Sequence, residues 1–429
     1  MERTLSSEVP ARVGDRITVA GWLHAVRALG GVTFAVVRDR AGLIQVVIED
    51  GGGDADVLRD LGAESVVAVS GPVAHEPRAP MGVELKAERV EVISRSCCEL
   101  PVQVNRRSLS AGLEVVLDHR ATSLRAPRVR AVFRVQHEVA GSFADFLTAH
   151  GFTGIHTPKI VCAGAEGGAD IFAMDYFGER AYLGQSPQFY KQIMVGVFER
   201  VFEIAPAYRA EKHDTVRHTN EFTSLDLEMG FIESHEDVMA VENAWLCYLA
   251  ERLRERCADE FRLLGAEIPA VPECIPSVRL AQLQQAIGRC VGEPDLDPQG
   301  ERLASAWAQE RFGSDFLFVT HYGTEKRPFY TMDDPDDPRT TLSFDLLFRG
   351  WEITTGGQRL HRCDDYVAKM ARYSLDPAAF DFYLEAFRCG MPPHGGLGAG
   401  LERITARLLN LKNVREATLF PRDRKRLVP

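Results

Sequence analysis

Apolar and polar positions alternate along the first hundred residues in several short runs, a pattern typical of β-strands. Turn signals such as "EDGGGD" separate the runs, and one stretch between them, "DADVLRDLG", has helical spacing instead. Several short strands at this spacing predict a small closed barrel. We therefore expect a β-barrel domain over residues 1–100.

The rest of the chain has a mixed pattern. A connector over residues 101–125 leads into "APRVRAVFRVQHEVAGSFADFLTAHGF", where apolar residues recur at helical spacing and Gly151 is a candidate terminator. Later strand-like runs such as "EFTSLDLEMGFI" and "SFDLLFRGWEI" follow one another without alternating helices, which favours an antiparallel or mixed sheet. The pattern predicts an α+β domain over residues 126–429, with a helical insertion at about 235–312 to which no chemistry is assigned.

Composition narrows the class of protein. The 429 residues are 45% hydrophobic and 26% charged, as in ordinary globular proteins. No run has the length of a membrane span, and the N-terminal residues lack the apolar core of a signal peptide. Nine cysteines without CxxC spacing indicate reduced thiols rather than disulfides or zinc. We expect a cytoplasmic protein with no membrane partner.

The net charge of −11 argues against indiscriminate nucleic-acid binding. It still permits a local basic track, and arginines outnumber acidic residues between Pro101 and Arg130. A solvated surface explains such a run equally well. Charge alone therefore leaves open whether the chain binds a nucleic acid.

The stretch "YRAEKHDTVRHTNEF" carries the first candidate chemistry. Arg209 and Glu211 lie two apart, so on a strand they point to one face. The guanidinium fits phosphate oxygens, and the carboxylate can accept from an amine such as that of adenine. Arg217 and His218 add charge in a predicted loop, and Phe222 offers a flat face for a base. The alternative is an exposed hairpin with surface ion pairs.

A second candidate is "SFDLLFRGWEITTGGQRLH". Asp345 and Glu352 lie in otherwise apolar strands, where an unpaired carboxylate is costly. Together with Thr355 they suit Mg²⁺, which binds a few carboxylates plus substrate phosphates. Arg359 follows two glycines and would lie near any ligand on that strand. The alternative is that both carboxylates pair with local arginines such as Arg349.

The third candidate is "AEGGADIFAMDYFGERAYLGQSPQFYKQ". Glu166 belongs to a predicted glycine-rich loop, and Ser186, Gln188 and Lys191 lie where an extended segment runs into a helix. These polar groups fit the wall of a small-molecule pocket. Ser186 and Pro187 fit an ordinary helix start as well, with proline at the first helical position.

The stretch "HGGLGAGLER" places four glycines within six residues ahead of a helix-like run. Such a stretch can bind phosphate through backbone amides and the helix dipole, or allow close packing where no Cβ fits. It matches neither GxGxxG in a βαβ unit nor GxxxxGK[ST]. Both explanations stay open from these residues alone.

Taken in order, these stretches resemble the motifs of class II aminoacyl-tRNA synthetases of the aspartyl/asparaginyl/lysyl group (subclass IIb), and they are closely similar to those of the archaeal-type aspartyl enzymes. "GFTGIHTPKIV" resembles the first motif, the stretch around Arg209 the second and "GLGAGLER" the third, and the likeness runs end to end. The resemblance implies an N-terminal OB-fold that binds the anticodon, a catalytic domain with an antiparallel sheet flanked by helices, and a homodimer.

The resemblance also implies roles in ATP binding. Arg209 would hold the α-phosphate, Glu211 the adenine amine and Arg403 the γ-phosphate, while Phe222 stacks on the base and His218 reaches the outer phosphates. The full implied ATP set is Arg209, Glu211, Arg217, His218, Phe222, Glu352, Gly400 and Arg403. The implied Mg²⁺ set is Asp345, Glu352 and Thr355.

The implied amino-acid pocket favours aspartate over asparagine. Arg359 and Lys191 supply cations for a side-chain carboxylate, and asparaginyl relatives tend to have glutamate where this chain has Asp226. Asp226 would then hold Lys191 or water, and Glu166 would take the α-ammonium group. The full implied set is Glu166, Ser186, Gln188, Lys191, Asp226, Thr355 and Arg359.

In the barrel, Phe34 is the candidate for stacking on an anticodon base, with Arg27 and Gln45 as hydrogen-bonding candidates. The alternative for Phe34 is a place in the core. Relatives with histidine and proline at the positions of His24 and Pro80 tend to accept both tRNA-Asp and tRNA-Asn. A non-discriminating enzyme is therefore expected, with a tRNA-dependent amidotransferase as a partner.

Four alternatives remain at this stage. Two are a strictly tRNA-Asp-specific aspartyl enzyme and an asparaginyl enzyme. The others are an ammonia-dependent asparagine synthetase, which the barrel and linker disfavour, and a non-catalytic RNA-binding paralogue. A paralogue of that kind should have lost one of Arg209, Glu211, Glu352 or Arg403, and all four are present.

Overall fold

The computed structural model describes residues 2–49, 53–106, 109–164, 171–212 and 215–429. The chain divides into two compact units between Pro127 and Arg128. No helix among these residues has the length and apolar character needed to cross a membrane. All nine cysteines are free thiols, as their spacing predicts.

The described part of the first unit contains a six-stranded sheet in which five strands form a closed barrel and β6 pairs with β4 alone. The strands lie in the order β1-β2-β3-β5-β4-β6, and an additional antiparallel pairing of β1 with β4 closes the barrel. The strands of this sheet are β1 (Arg16–Leu29), β2 (Val32–Arg38), β3 (Leu43–Glu49), β4 (Val66–His75), β5 (Val83–Lys86) and β6 (Arg89–Ser94). The helices of this unit are α1 (Gly53–Asp60), α2 (Leu113–Asp118) and α3 (Arg120–Ser123), after a 3₁₀ turn at Ser6–Arg12.

The alternation of apolar and polar residues seen in the sequence supplies the core of this barrel. In β2 and β3 every second residue is buried, and Leu23, Val37, Val46, Val67 and Leu85 are among the core side chains. Helix α1, the one predicted helix of this region, packs its Ala55 and Leu58 into the same core. The predicted barrel is confirmed.

The second unit is built on a mixed sheet with eight strands in the described residues. Their order is β13-β14-β15-β16-β17-β12-β11-β7, parallel at the two outer pairs and antiparallel between them. These strands are β7 (Thr153–Gly154), β11 (Arg200–Tyr208), β12 (Glu221–Gly230), β13 (Ser277–Arg279), β14 (Phe316–Thr320), β15 (Ser343–Phe348), β16 (Trp351–Gln358) and β17 (His394–Gly400). A smaller sheet has the order β8-β10-β9, formed by β8 (Ile160–Val161), β9 (Ala173–Tyr176) and β10 (Glu179–Leu183).

Helices flank the large sheet. They are α4 (Pro127–Ala149), α5 (Gln188–Phe198), α6 (His235–Arg256), α7 (Ala258–Leu264), α8 (Leu280–Ala286), α9 (Pro298–Phe312), α10 (Cys363–Arg372), α11 (Asp381–Arg388) and α12 (Leu401–Leu408). The predicted insertion contains α6 to α9 together with strand β13, so it is not purely helical. The largest core cluster joins α4 and α6 to the sheet, and Trp245 of α6 donates to the Ser142 hydroxyl of α4 at 3.1 Å.

Strand β17 explains the glycine-rich stretch. It lies antiparallel between β12 and β16, so its residues have a neighbouring backbone on both sides. A Cβ on Gly396 would lie 2.1 Å from Glu228 Oε2 and 2.2 Å from the Leu227 carbonyl oxygen. The glycine is required here by close packing, and the chain enters α12 directly after Gly400.

Candidate active site

A cavity of about 910 Å³ opens in the second unit, and most of the residues singled out in the sequence line it. Strands β11, β12, β16 and β17 and helices α5 and α12 carry or directly precede most of these side chains. The predicted residues on its wall are Ser186, Gln188, Lys191, Arg209, Glu211, Arg217, His218, Phe222, Asp226, Glu352, Thr355, Arg359, Gly400 and Arg403. Asp345 lies behind this wall, and Glu166 lies outside the described residues.

Two arginines and an aromatic ring form one end of the cavity. Strand β11 ends at Tyr208, so Arg209 and Glu211 lie in the loop that follows it and not on a strand. Both residues nevertheless line the cavity. The Arg209 guanidinium lies 5.6 Å from the Phe222 ring centroid, and its Nε is buried without a hydrogen-bond partner among the described residues. Arg403, in the first turn of α12, donates to the Glu352 carboxylate at 3.4 Å. These groups offer guanidinium donors to an anionic ligand.

His218 lies among these arginines as a neutral ring. Burial, followed by the charges of Arg403 and Arg217, lowers the pKa of His218 to about 4. Its Nδ1 lies 2.6 Å from the Thr215 hydroxyl. At neutral pH the imidazole can therefore hydrogen-bond a phosphate oxygen but adds no charge to the cavity.

The two carboxylates predicted to bind metal have arginine partners, although not Arg349. Asp345 Oδ2 accepts from Arg327 at 2.8 Å, whereas Asp345 Oδ1 is buried without a hydrogen-bond partner among the described residues. Arg349 instead binds Asp315 at 2.9 Å. Sequence reasoning missed Arg327, because its partner lies 18 residues further along the chain.

The carboxyl groups of Asp345 and Glu352 differ in pKa, because neighbouring charges act on them differently. Burial raises the pKa of Asp345 to about 6. Burial opposes ionisation of Glu352 too, but Arg403 and Arg327 together hold the pKa of Glu352 below its usual range. The Thr355 hydroxyl donates to Glu352 at 3.1 Å. One ionised carboxylate, one orphaned carboxylate oxygen and a hydroxyl form an oxygen donor set that fits a hard divalent cation.

The other end of the cavity holds paired charges. Lys191 Nζ lies 2.9 Å from Asp226 Oδ1, so the predicted contact between them is present, and 3.4 Å from Glu228 Oε2. Arg359 donates from Nε to Glu228 Oε1 at 2.9 Å and lies over the Tyr330 ring at 5.2 Å. Two cations and two carboxylates therefore meet at the position predicted for the amino-acid side chain.

Glu228 is a functional candidate that sequence reasoning missed. Its side chain is 0% exposed, and although burial opposes ionisation, the charges of Arg359 and Lys191 lower its pKa. The signal was available in "SLDLEM": Asp226 and Glu228 lie two apart on β12 and share a face. The partner of Glu228 is 131 residues away, so only the fold identifies it.

A buried network stands behind Ser186 and Gln188. Gln188 begins α5 and donates to Gln192 Oε1 at 2.8 Å, while its backbone NH donates to the Ser186 hydroxyl at 3.3 Å. His394 Nδ1 lies 2.9 Å from the Pro392 carbonyl, which can only accept, so His394 Nε2 accepts from Gln192. Ser186 and Gln188 line the cavity and also lie at the start of α5, although Pro187 is the N-cap residue and not the first helical residue.

Three predicted tRNA-binding residues share the outer surface of the barrel. Arg27 pairs with Phe34 across β1 and β2, and Gln45 lies on β3 with its amide donating to Glu84 at 3.1 Å. Phe34 is half-buried and does not belong to the barrel core. Pro80 is exposed in the turn between β4 and β5.

His24 is more buried than these residues. It lies at an irregularity in β1, between Leu23 and Ala25, and its side chain is buried, with 7% of the residue exposed. Burial, followed by the charge of Arg38, lowers its pKa. The His24 ring is therefore buried, and its role in tRNA recognition stays a prediction.

The fold and the cavity define a class of protein. The family model described as tRNA synthetases class II (D, K and N) matches residues 112–424, and an OB-fold nucleic acid binding domain model matches residues 17–93. The chain belongs to the class II tRNA synthetases. The predicted fold class and family are confirmed, and ATP is a substrate of this class.

Individual relatives show which members of this class the chain resembles. The chain is 49% identical to the aspartate–tRNA(Asp/Asn) ligase of Deinococcus radiodurans, covering 100% of this chain and 99% of the relative. It is 47% identical to the ligase of the same name from Thermus thermophilus, covering 100% of both. Among solved structures, asparaginyl-tRNA synthetase from Pyrococcus horikoshii complexed with asparaginyl-adenylate has a TM-score of 0.94 at 31% identity, covering 100% of both chains.

Proposed function

We propose that this chain is an aspartate–tRNA ligase that activates L-aspartate with ATP and transfers the aspartyl group to tRNA-Asp and also to tRNA-Asn. The observation that carries the proposal is one cavity lined by Arg209, Arg217 and Arg403 at one end and by the two cations Lys191 and Arg359 at the other. Such a cavity fits a triphosphate beside a short dicarboxylic acid.

In the first step the α-carboxylate of aspartate attacks the α-phosphorus of ATP, and the bond to pyrophosphate breaks. Arg209 holds the α-phosphate and Arg403 the γ-phosphate, while Arg217 and His218 contact the outer phosphate oxygens. Glu211 accepts from the adenine amine, and Phe222 stacks on the ring. These residues align the reactants and offset developing charge, so no side-chain nucleophile or general base is required.

Glu352, with Asp345 and Thr355 beside it, would hold Mg²⁺. The ion would neutralise phosphate charge when bound. The orphaned Asp345 Oδ1 supports this assignment, because a buried oxygen without a partner is costly unless a ligand satisfies it. Arg327 holds the other carboxylate oxygen of Asp345.

In the second step a ribose hydroxyl at the tRNA terminus attacks the aspartyl carbonyl, and AMP leaves. The barrel face with Arg27, Phe34 and Gln45 binds the anticodon. In this proposal residues 1–100 form the anticodon-binding domain, residues 101–125 the linker and residues 126–429 the catalytic domain. We infer a cytoplasmic homodimer.

Aspartate is favoured over asparagine by the charges in the pocket. Lys191 and Arg359 face the side-chain carboxylate, Asp226 is occupied by Lys191, and Glu166 and Gln188 would take the α-ammonium group. The similarity to an asparaginyl enzyme keeps asparagine as the second candidate. Acceptance of tRNA-Asn is supported by the names of the two relatives, and it implies a tRNA-dependent amidotransferase that acts on the product.

One assay with paired substrates tests the proposal. Purified enzyme should support ATP–pyrophosphate exchange with L-aspartate and not with L-asparagine, and should charge transcripts of both tRNA-Asp and tRNA-Asn with aspartate. Faster exchange with asparagine contradicts the amino-acid assignment. Charging of tRNA-Asp alone leaves the strictly specific enzyme, and the amidotransferase partner is then dropped.

A further inference from the structure

Helix α9 of the insertion carries a buried acid that points toward the cavity. Glu301 lies in the first turn of α9, and 6% of the residue is exposed. Most acidic side chains this deeply buried have a charged partner. The partner of Glu301 is not on its own helix.

Glu301 contacts two residues of the ATP end through the same oxygen. Its Oε2 accepts from the Arg217 guanidinium, in a pair whose side chains are 10% and 8% exposed. Oε2 also accepts from the backbone NH of Glu352 at 2.8 Å. A single carboxylate oxygen therefore joins the insertion to a cavity arginine and to the strand that carries Glu352.

Arg217 is fixed on its remaining sides as well. Its guanidinium lies 5.6 Å from the centre of the Trp351 ring, and its carbonyl oxygen accepts from Arg403 Nε at 3.4 Å. Its own Nε is buried without a hydrogen-bond partner among the described residues. A buried donor without a partner is costly unless a ligand satisfies it.

We propose that Glu301 is a positioning residue that holds Arg217 in the cavity wall, so that the guanidinium is in place to bind the outer phosphates of ATP. This inference rests on the proposed function, since it requires ATP to lie between Arg209 and Arg403. The physical reason is preorganisation: a long arginine side chain already held by a buried carboxylate loses less freedom when phosphate binds. The insertion thereby contributes to ATP binding without touching the substrate.

Glu301→Gln tests the proposal because glutamine keeps the shape and an acceptor oxygen but removes the charge. We expect the KM for ATP in pyrophosphate exchange to rise about tenfold, and the KM for aspartate to stay within about twofold. Glu310→Gln makes the same chemical change at an exposed position of α9 and should leave both constants unchanged.

A double-mutant cycle separates positioning from plain stabilisation of the fold. If Glu301 acts through Arg217, then Glu301→Gln added to Arg217→Gln should raise the KM for ATP no further than Arg217→Gln alone. Multiplicative effects of the two substitutions, or an unchanged KM for ATP in Glu301→Gln, overturn the proposal.

A second variant covers the case in which Glu301→Gln does not fold. Glu301→Asp keeps the charge and retracts it from Arg217, so the same rise in the KM for ATP is expected, and its absence overturns the inference. The wild-type assay distinguishes a failure of the proposed function from a failure of the role given to Glu301. Loss of aspartate-dependent exchange in the wild type contradicts that function, whereas normal wild-type exchange with unaltered variants contradicts only the role of Glu301.

Discussion

At the scale of single residues, the end of the cavity proposed to bind the amino acid depends on a carboxylate that does not line the cavity. Glu228 lies behind the cavity wall and binds Arg359 while lying 3.4 Å from Lys191. Without it, two cations would be buried with only Asp226 to balance them. Burying an uncompensated charge is far more costly than burying a paired one. Glu228 therefore fixes where the guanidinium points.

We predict that Glu228→Gln lowers the free energy of unfolding by about 3 kcal/mol and raises the KM for aspartate, because Arg359 loses its charged partner. Denaturant unfolding and aspartate-dependent exchange measure the two effects. Glu233→Gln, at an exposed position shortly after β12, is the matched control. A Glu228→Gln enzyme with wild-type stability and wild-type KM would show that the pair has no such role.

At the scale of elements, helix α6 brings an acid into the core beneath the sheet. Glu242 is 0% exposed, and both its carboxyl oxygens lack a hydrogen-bond partner among the described residues. Burial raises its pKa to about 8, with Thr354 acting to lower it and Asp345 to raise it further. The side chain is therefore protonated at neutral pH, which lets α6 pack on β16 and β17 without a buried charge.

This protonation predicts a pH dependence of stability. The folded protein keeps a proton on Glu242 that the unfolded chain releases above its ordinary pKa of 4.5, so the stabilisation is complete below that pH and is lost as the pH rises toward 8. Glu242→Gln cannot ionise. Between pH 4.5 and pH 8 the unfolding free energy of the wild type should therefore fall by on the order of 4 kcal/mol relative to that of Glu242→Gln.

Unfolding curves recorded across this pH range provide the measurement. Glu255→Gln, at an exposed position of the same helix, should follow the wild-type pH dependence. If wild type and Glu242→Gln differ by a constant amount at every pH, Glu242 is not the group that titrates.

At the scale of the whole molecule, the two units carry different parts of the proposed reaction. The cavity and all its lining residues belong to the second unit, whereas the face with Arg27, Phe34 and Gln45 belongs to the first. Amino-acid activation should therefore be independent of the barrel face. Transfer to tRNA should depend on both units.

Phe34→Ala is expected to lower kcat/KM for tRNA charging by about 10- to 100-fold, because stacking of one base on an aromatic ring is lost. ATP–pyrophosphate exchange with aspartate should be unchanged in the same variant. Phe34→Tyr keeps the aromatic ring and should charge tRNA at the wild-type rate. Normal charging by Phe34→Ala would place the anticodon elsewhere.

The sequence by itself determined the local features of this protein. Alternating apolar positions predict the barrel, consecutive strand-like runs predict the mixed sheet, and the ordered motifs predict which side chains line one cavity. Each of these signals lies within a short stretch, where the side-chain period of a strand or helix can be seen directly. The contact of Asp226 with Lys191 is one of the two possibilities that the resemblance implied for Asp226.

Only the tertiary structure decided the partners of buried charges. Glu228 with Arg359, Arg327 with Asp345 and Glu301 with Arg217 join distant segments of the chain. The burial of His24 and the role of Gly396 likewise depend on neighbouring strands. The physical reason is that the cost of a buried charge or a missing Cβ depends on what packs against it, and packing is a property of the folded chain rather than of adjacent residues.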